Sequence, residues 1–350
     1  MRIEHFDRVQ PACPLCWATR REHAPLRPFR VALTEGEDIR EGSLVCSERL
    51  CQREYPIIDG IPILVTNPAS WLEHQGPHLL RRHDLTPFTE SSIGDMAGPG
   101  SPFDRERGNN GIYAHAHWAP DSPAYLHVFQ RAVALLPSPP QGLWIDIGCS
   151  VGRGAFELAA ATQQLSIGVD LNFSMLRLAE QIRRSGRARY SRRRVGLVFD
   201  PVDDPIPDFP AQDVSFWCAD VATLPFASGV FQGAVSMNML DCVASPLAML
   251  LEMGRVLAPA APALLATPFD WAAGATQSDA WLGGHSQRSG HEGSSLAELR
   301  RVLSPGCDAG IDTGLIIEAE ADQVKWRLRT HERSVTEYDV YLACLRRKAA

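Results

Sequence analysis

The stretch that most restricts how this chain can fold is a strand, a glycine bend and a helix in direct succession over residues 143–161. Leu143-Trp144-Ile145-Asp146-Ile147 is an apolar run holding a single acid, and Gly148-Cys149-Ser150-Val151-Gly152-Arg153-Gly154 follows it. Ala155-Phe156-Glu157-Leu158-Ala159-Ala160-Ala161 then reads as a helix. An apolar run without alternation suits a strand buried on both faces of a parallel sheet. Gly148, Gly152 and Gly154 let the backbone turn sharply and approach a ligand closely, and the helix start behind them presents unpaired N–H groups. A second apolar run, Ser166-Ile167-Gly168-Val169-Asp170, ends in an acid where a carboxylate would accept both hydroxyls of a ribose. Three residues separate Gly148 from Gly152, which is not the Gly-x-Gly-x-x-Gly spacing of a dinucleotide fold.

Three further segments continue in order. Cys218-Ala219-Asp220-Val221 ends a third apolar run in an acid, and Phe231-Gln232-Gly233-Ala234-Val235 leads through a fourth to Asn238-Met239-Leu240-Asp241. Leu251-Glu252-Met253-Gly254-Arg255-Val256-Leu257 reads as a helix before a fifth strand at 263–267. With the opening unit, this series resembles the class I S-adenosylmethionine-dependent methyltransferases of type 11/25, with Ala260-Ala261 replacing the family's usual Gly-Gly. The resemblance implies an α/β fold: a Rossmann-like, seven-stranded methyltransferase sheet with helices on both faces and an antiparallel edge from strands near 315–320 and 335–344. It implies that Asp146 supports the bend and the methionine ammonium, and that Gly148, Cys149, Ser150, Gly152 and Gly154 pass beside the cofactor. Asp170 and Leu171 would lie at the ribose, Asp220 and Val221 at the adenine, and Asn238 at the methyl end.

Asp241 is the leading candidate for orienting or deprotonating an acceptor, because loops at the carboxyl ends of parallel strands carry function. Its alternative role is a helix N-cap, for which Ser245-Pro246 is a competing start. His285, with Arg288, sits in a Gly/Ser/His-rich stretch too polar for core, and is the second catalytic candidate. Ser294-Ser295 should cap the next helix. Tyr113, His115, His117 and His331 are further candidates, against the plainer expectation of packed or surface side chains.

The amino-terminal stretch holds Cys13-x₂-Cys16 and Cys46-x₄-Cys51, a pattern suited to tetrahedral Zn²⁺ with four thiolates and no open position. The second knuckle is wider than the usual Cys-x₂-Cys. Tyr55-Pro56-Ile57-Ile58-Asp59-Gly60-Ile61-Pro62 just after it resembles the end of the small zinc-ribbon family of methyltransferase activators. The expected division is a zinc-ribbon-like domain at 1–66, a linker or lid at 67–110, and the methyltransferase domain at 111–350. Prolines and glycines crowd the middle segment, which reads as linker with one short helix at most. The other five cysteines, Cys149, Cys218, Cys242, Cys307 and Cys344, read as reduced, packed thiols.

Composition narrows the partners. A formal charge of −7 over 350 residues argues against a broad nucleic-acid footprint. No apolar run is long enough to span a membrane and no secretory leader pattern opens the chain, so the expected location is cytoplasmic. One basic tract, from Arg183 to Arg194, reads either as a phosphate-contacting patch for RNA or an acidic substrate, or as a solvated helix end followed by a strand at 195–200. The leading expectation is methyl transfer from S-adenosylmethionine to an N, O or S atom of a small-molecule acceptor; a distant resemblance of the loop with Asp241, the helix near Ser294 and the Tyr-rich last strand to carnosine-type imidazole N-methyltransferases and quinone-biosynthesis enzymes implies an imidazole- or quinone-type acceptor. Base methylation of rRNA or tRNA through the ribbon and the arginine tract is the alternative, and a non-catalytic S-adenosylmethionine-binding scaffold is the reading from another class.

Overall fold

The computed structural model describes residues 1–120, 124–304 and 311–349; Cys307 lies outside them. The amino-terminal part comprises α1 (Ile3–Val9), α2 (Pro14–Arg20), β1 (Leu26–Glu35), β2 (Asp38–Cys46), β3 (Glu54–Ile58) and β4 (Ile61–Leu64). Helices α3 (Pro68–Leu80), α4 (Pro87–Ala97), α5 (Pro102–Trp118) and α6 (Ala124–Val133) lead to the alternating α/β region. There β5 (Trp144–Ile147), α7 (Arg153–Thr162), β6 (Ser166–Asp170) and α8 (Phe173–Ser185) precede a hairpin of β7 (Arg187–Val195) and β8 (Val198–Pro205). After it come β9 (Val214–Ala219), β10 (Gly233–Met237), α9 (Pro246–Val256), β11 (Pro262–Thr267), α10 (Ser295–Val302), β12 (Leu315–His331) and β13 (Ser334–Arg347).

Eleven strands form one sheet in the order β1-β2-β3-β4-β9-β6-β5-β10-β11-β13-β12. Strands β9, β6, β5, β10 and β11 are parallel, and the β12–β13 hairpin closes the far edge antiparallel to β11. The expected seven-stranded methyltransferase sheet is therefore present, from β9 to β12. The parallel strands are buried along their whole length, as their unbroken apolar runs require. The chain leaves β5 toward β6 and β9 on one side and returns to β10 on the other. That reversal opens a crevice above the carboxyl ends of β5 and β10.

The sheet does not stop at β9. Strand β4 pairs with it in parallel, Ile63 against Cys218 and Leu64 against Ala219, so the amino-terminal strands extend the same sheet. Phe6, Cys13, Tyr55 and Leu64 share one apolar core with Ile145, Val169 and Trp217. Trp17 adds a bond from its indole N–H to Glu252 on α9 (3.1 Å), and Ala12 N–H bonds the Pro225 carbonyl (2.8 Å).

The middle segment differs from expectation. Residues 67–110 hold α3, α4 and the start of α5, where a linker with one short helix was expected. Pro68, Pro87 and Pro102 occupy the first helical position, where a missing N–H costs nothing, and Asn67, Thr86 and Ser101 cap the helices from outside. The arginine tract also differs. Gly186 ends α8 in the left-handed region, and the tract becomes β7, whose partner β8 reaches Pro205 where a loop was expected from 201. The two strands are charge-complementary: Arg187 and Arg189 both face Asp203, and Arg194 pairs with Asp200. Among the scattered cysteines Cys149, Cys218 and Cys344 are buried, but Cys242 is exposed. Among the described residues no helix is long and apolar enough to cross a membrane.

Candidate active site

The crevice is built on the bend after β5. Gly148 and Gly152 take φ of +79° and +88°, which leaves this turn to residues without a Cβ. The N–H groups of Gly148 and Cys149 both bond the Val169 carbonyl (2.8 and 3.0 Å), tying the bend to β6. Asp170, at the end of β6, accepts from the backbone N–H of Ser150 (2.9 Å) and of Asn172 (2.8 Å). One carboxylate thus fixes both the glycine bend and the start of α8, where Asn172 is the N-cap.

Asp146 is fully buried, and its Oδ2 has no hydrogen-bond partner. Burial, reinforced by the charge of Asp170, pushes its carboxyl up to about 7. A Cβ added at Gly154 would fall within 2.4 Å of both the Tyr125 hydroxyl and Asp146 Oδ2, so these groups converge behind the bend. Asp220 turns back to accept from Ala222 N–H (2.9 Å), Val221 is buried beside it, and Leu171 is exposed. Asn238 sits just past β10 with φ of +55° and a buried Oδ1 that no donor reaches.

Asp241 is 1% exposed. Its Oδ2 accepts from the Asp270 N–H (2.6 Å), and its Oδ1 is unpartnered. Burial raises its carboxyl, with the charge of Asp270 acting in the same direction. It does not cap α9, because Ser245 does so by accepting from Ala248 N–H (3.2 Å). The Tyr113 phenol, on α5, is pushed up to about 12 by burial first and then by the charges of Cys242, Tyr338, Asp170 and Asp241. The Tyr338 phenol on β13 is pushed up by burial first and then by the Asp270 carboxylate, and its ring lies 5.3 Å from Trp326.

The other candidates fall elsewhere. His285 and Arg288 are exposed on the loop before α10, and His285 has Glu298 as a charged neighbour rather than Asp241. The loop is held from within by a Trp271–Trp281 stack, and Ser294 caps α10 as expected. His331 accepts the Arg333 N–H at the tip of the β12–β13 hairpin. His115 is buried against Tyr190, and His117 stacks on Tyr125 at 4.0 Å, its pKa driven down to about 3 by burial.

Other residues escaped the sequence reading. Trp71 on α3 bonds the Leu171 carbonyl (3.1 Å) and meets Phe173 edge-on, and Gln75 accepts the Phe173 N–H (3.1 Å). Trp118 reaches the Val151 carbonyl within the bend (3.0 Å). These helices close over the strand ends through single side chains, which no local pattern announces.

At the other end of the sheet Cys13, Cys16, Cys46 and Cys51 bring their sulfurs within 4.8 Å of one another, a group that could hold a metal ion. Cys13 lies 3.9 Å from Cys51, and Cys16 lies 3.7 Å from Cys46. The Arg20 guanidinium donates to Cys16 Sγ (2.9 Å), and the Tyr55 hydroxyl is 3.0 Å from Cys13 Sγ.

Residues 145–264 match a family model described as a methyltransferase domain. With the sheet and crevice around that span, this makes the chain an S-adenosylmethionine-dependent methyltransferase. Among solved structures it is similar to a chain of the complex between the Haloferax volcanii Trm112 methyltransferase activator and the methyltransferase (16% identity, 71% of this chain and 96% of that one, TM-score 0.43). It is also similar to a Methanosarcina mazei SAM-dependent methyltransferase (19% identity, 62% and 96% coverage, TM-score 0.39) and to the Bacillus subtilis YcgJ protein (14% identity, 65% and 99% coverage, TM-score 0.40). No curated protein matches the chain in sequence.

The crevice fits that cofactor chemically. S-adenosylmethionine carries an ammonium, ribose hydroxyls, an exocyclic amine and a sulfonium. The unpartnered buried atoms beside the bend and at the end of β10, Asp146 Oδ2 and Asn238 Oδ1, are both acceptors.

Proposed function

We propose that this enzyme methylates an amine nitrogen of a small-molecule acceptor held between Tyr113, Tyr338, Asp241 and Asp270. When bound, S-adenosylmethionine supplies an electrophilic methyl on a positively charged sulfur. Asp146, Asp170, Asp220 and Asn238 hold the cofactor, with Leu171, Val221 and the bend from Gly148 through Cys149, Ser150, Gly152 and Gly154 alongside it. The observation that carries the acceptor reading is the mouth itself, two carboxylates beside two phenols. A protonated amine is attracted by carboxylates and by aromatic faces, whereas a phenolate or quinol anion is repelled. Asp241, with its raised pKa and free Oδ1, accepts the proton the amine must lose before its lone pair attacks. The rest of the work is alignment, worth about 7–11 kcal/mol when two reactants are well oriented.

The RNA reading draws little support from the arginine tract. Arg183, Arg184, Arg187, Arg189, Arg193 and Arg194 each engage a carboxylate of the same chain, so the tract is not a run of unpaired cations tracking a phosphate backbone. The four cysteines suit a structural Zn²⁺: Zn–S bonds of about 2.3 Å in a tetrahedron place the sulfurs about 3.8 Å apart. Arg20 and Tyr55 then act as outer donors that stabilise thiolates.

The test is S-adenosylhomocysteine formation across amines, imidazoles, quinols and RNA. Turnover with an amine is expected, and Asp241→Asn should lower kcat about a hundredfold with cofactor affinity unchanged. Turnover confined to quinols or RNA overturns the acceptor reading. Cofactor binding without turnover on any acceptor favours the scaffold.

A further inference from the structure

A cavity of about 690 Å³ lies outside the cofactor crevice, along the outer face of α8. Its walls are α8, the middle of α5, the turn after α3 and the β7–β8 hairpin, and seven arginines line it against four carboxylates. The carboxylates are shared. Glu90 serves both Arg81 (3.3 Å) and Arg107 (3.6 Å), and Asp203 serves both Arg187 (2.6 Å) and Arg189 (3.1 Å). Arg177 and Arg184 also have partners just beyond the lining, Asp59 and Glu35, yet the lining of this half-open groove itself holds more guanidinium groups than carboxylates.

Arg107 is the sharpest case. It is 5% exposed, its guanidinium lies 4.1 Å above the Phe199 ring, and its Nε and Nη1 are sealed from solvent without a hydrogen-bond partner. A buried cation with unmade donor bonds is costly unless an anion completes it. The excess charge and the fork of donors match a tetrahedral oxyanion, which guanidinium groups engage with two parallel bonds.

We propose that this groove is a second ligand site that binds a phosphate-bearing small molecule, with Arg107 at its floor and Arg189 at its rim. The groove ends where Ser174 Oγ donates to Asn110 Oδ1 (3.2 Å). Ser174 belongs to the first turn of α8, whose cap Asn172 bonds Asp170, and Asn110 is one helical turn from Tyr113. The Ser174–Asn110 end of the groove is thus linked through Asn172 to the carboxylate proposed for the ribose, and through α5 to Tyr113, without sharing a residue with either site. A phosphate held here can belong to the tail of the acceptor or to a separate effector.

Calorimetric titration of the full chain with inorganic pyrophosphate tests the site. One molecule should bind per chain, and Arg189→Ala and Arg107→Met should each weaken it about tenfold to a hundredfold, the loss expected for a charge-assisted hydrogen bond. The affinity for S-adenosylmethionine should stay unchanged in Arg189→Ala. Arg189 is 63% exposed along its side chain, so this variant decides the matter if Arg107→Met does not fold. Pyrophosphate that competes with the acceptor assigns the phosphate to the acceptor's tail. Pyrophosphate that alters turnover without competing assigns it to an effector. Absence of binding at millimolar pyrophosphate, or binding indifferent to both substitutions, overturns the proposal. So does displacement only by long RNA with a steep salt dependence, which marks a surface track rather than a small-molecule site.

Discussion

Asp146 couples the crevice to pH. Its carboxyl is held near 7 by burial and by the charge of Asp170, with Tyr125 and Cys149 as its other titratable neighbours. A carboxyl whose folded pKa lies above its unfolded value binds more protons in the native state, so its contribution to stability falls as pH rises from about 4 to about 7. A cation seated against it reverses the preference, because only the carboxylate pairs with an ammonium. The Kd for S-adenosylmethionine should therefore fall as pH rises from 6 to 8, with a proton released on binding at the acid end, and Asp146→Asn should flatten the profile. Calorimetry in two buffers of different ionisation enthalpy reads both quantities; a Kd that does not move with pH in the native enzyme refutes the assignment. Asp146 and Asp170 were legible in the sequence because each sits at or one residue before the end of an apolar run whose neighbours dictate a parallel strand. The environment that shifts Asp146 was not, since Tyr125 arrives from a helix 21 residues earlier in the chain.

Elements were legible where their signal was local. Strands β5, β6, β9, β10 and β11 carry unbroken apolar runs, and each was expected close to its place. Helices α3, α4 and α5 were hidden because a proline at the first helical position and a proline that breaks a helix look alike without the cap beside it. The β7–β8 hairpin was hidden for a different reason: its basic strand is stabilised by aspartates of the following strand, and a run of arginines after an amphipathic helix gives no hint of that pairing. The end of α8 illustrates the consequence. Arg183, the first residue of the basic tract, is buried between Glu180 (2.7 Å) and Asp38 on β2 (2.6 Å). Removing one member of a buried ion network strands the others, at a cost of about 3–5 kcal/mol. Arg183→Ala should lower the unfolding free energy by that amount in urea titrations. A phosphate-contacting role would instead leave stability nearly unchanged and weaken only nucleic-acid binding.

At the scale of the whole molecule, the cysteine-bearing strands and the cofactor crevice hang on one sheet. The order from β1 to β12 was not legible, because the β4–β9 junction joins segments some 150 residues apart through Ile63 and Leu64 alone. Its effect is that β9 has no free edge, and the strand that ends at Asp220 is braced from outside by the segment between the cysteine knuckles and α3. A strand edge stripped of its partner exposes unpaired backbone groups and apolar side chains. Loss of the Zn²⁺ proposed at Cys13, Cys16, Cys46 and Cys51 should therefore be felt in the crevice and not only locally, since Cys13 and Tyr55 share a core with Val169 and Trp217. Chelation, or Cys16→Ser, should lower the temperature of a single cooperative calorimetric transition and weaken S-adenosylmethionine binding together. Two separate transitions, with the cofactor-stabilised one unmoved by chelator, would show that the amino-terminal strands and the crevice are energetically independent despite their common sheet.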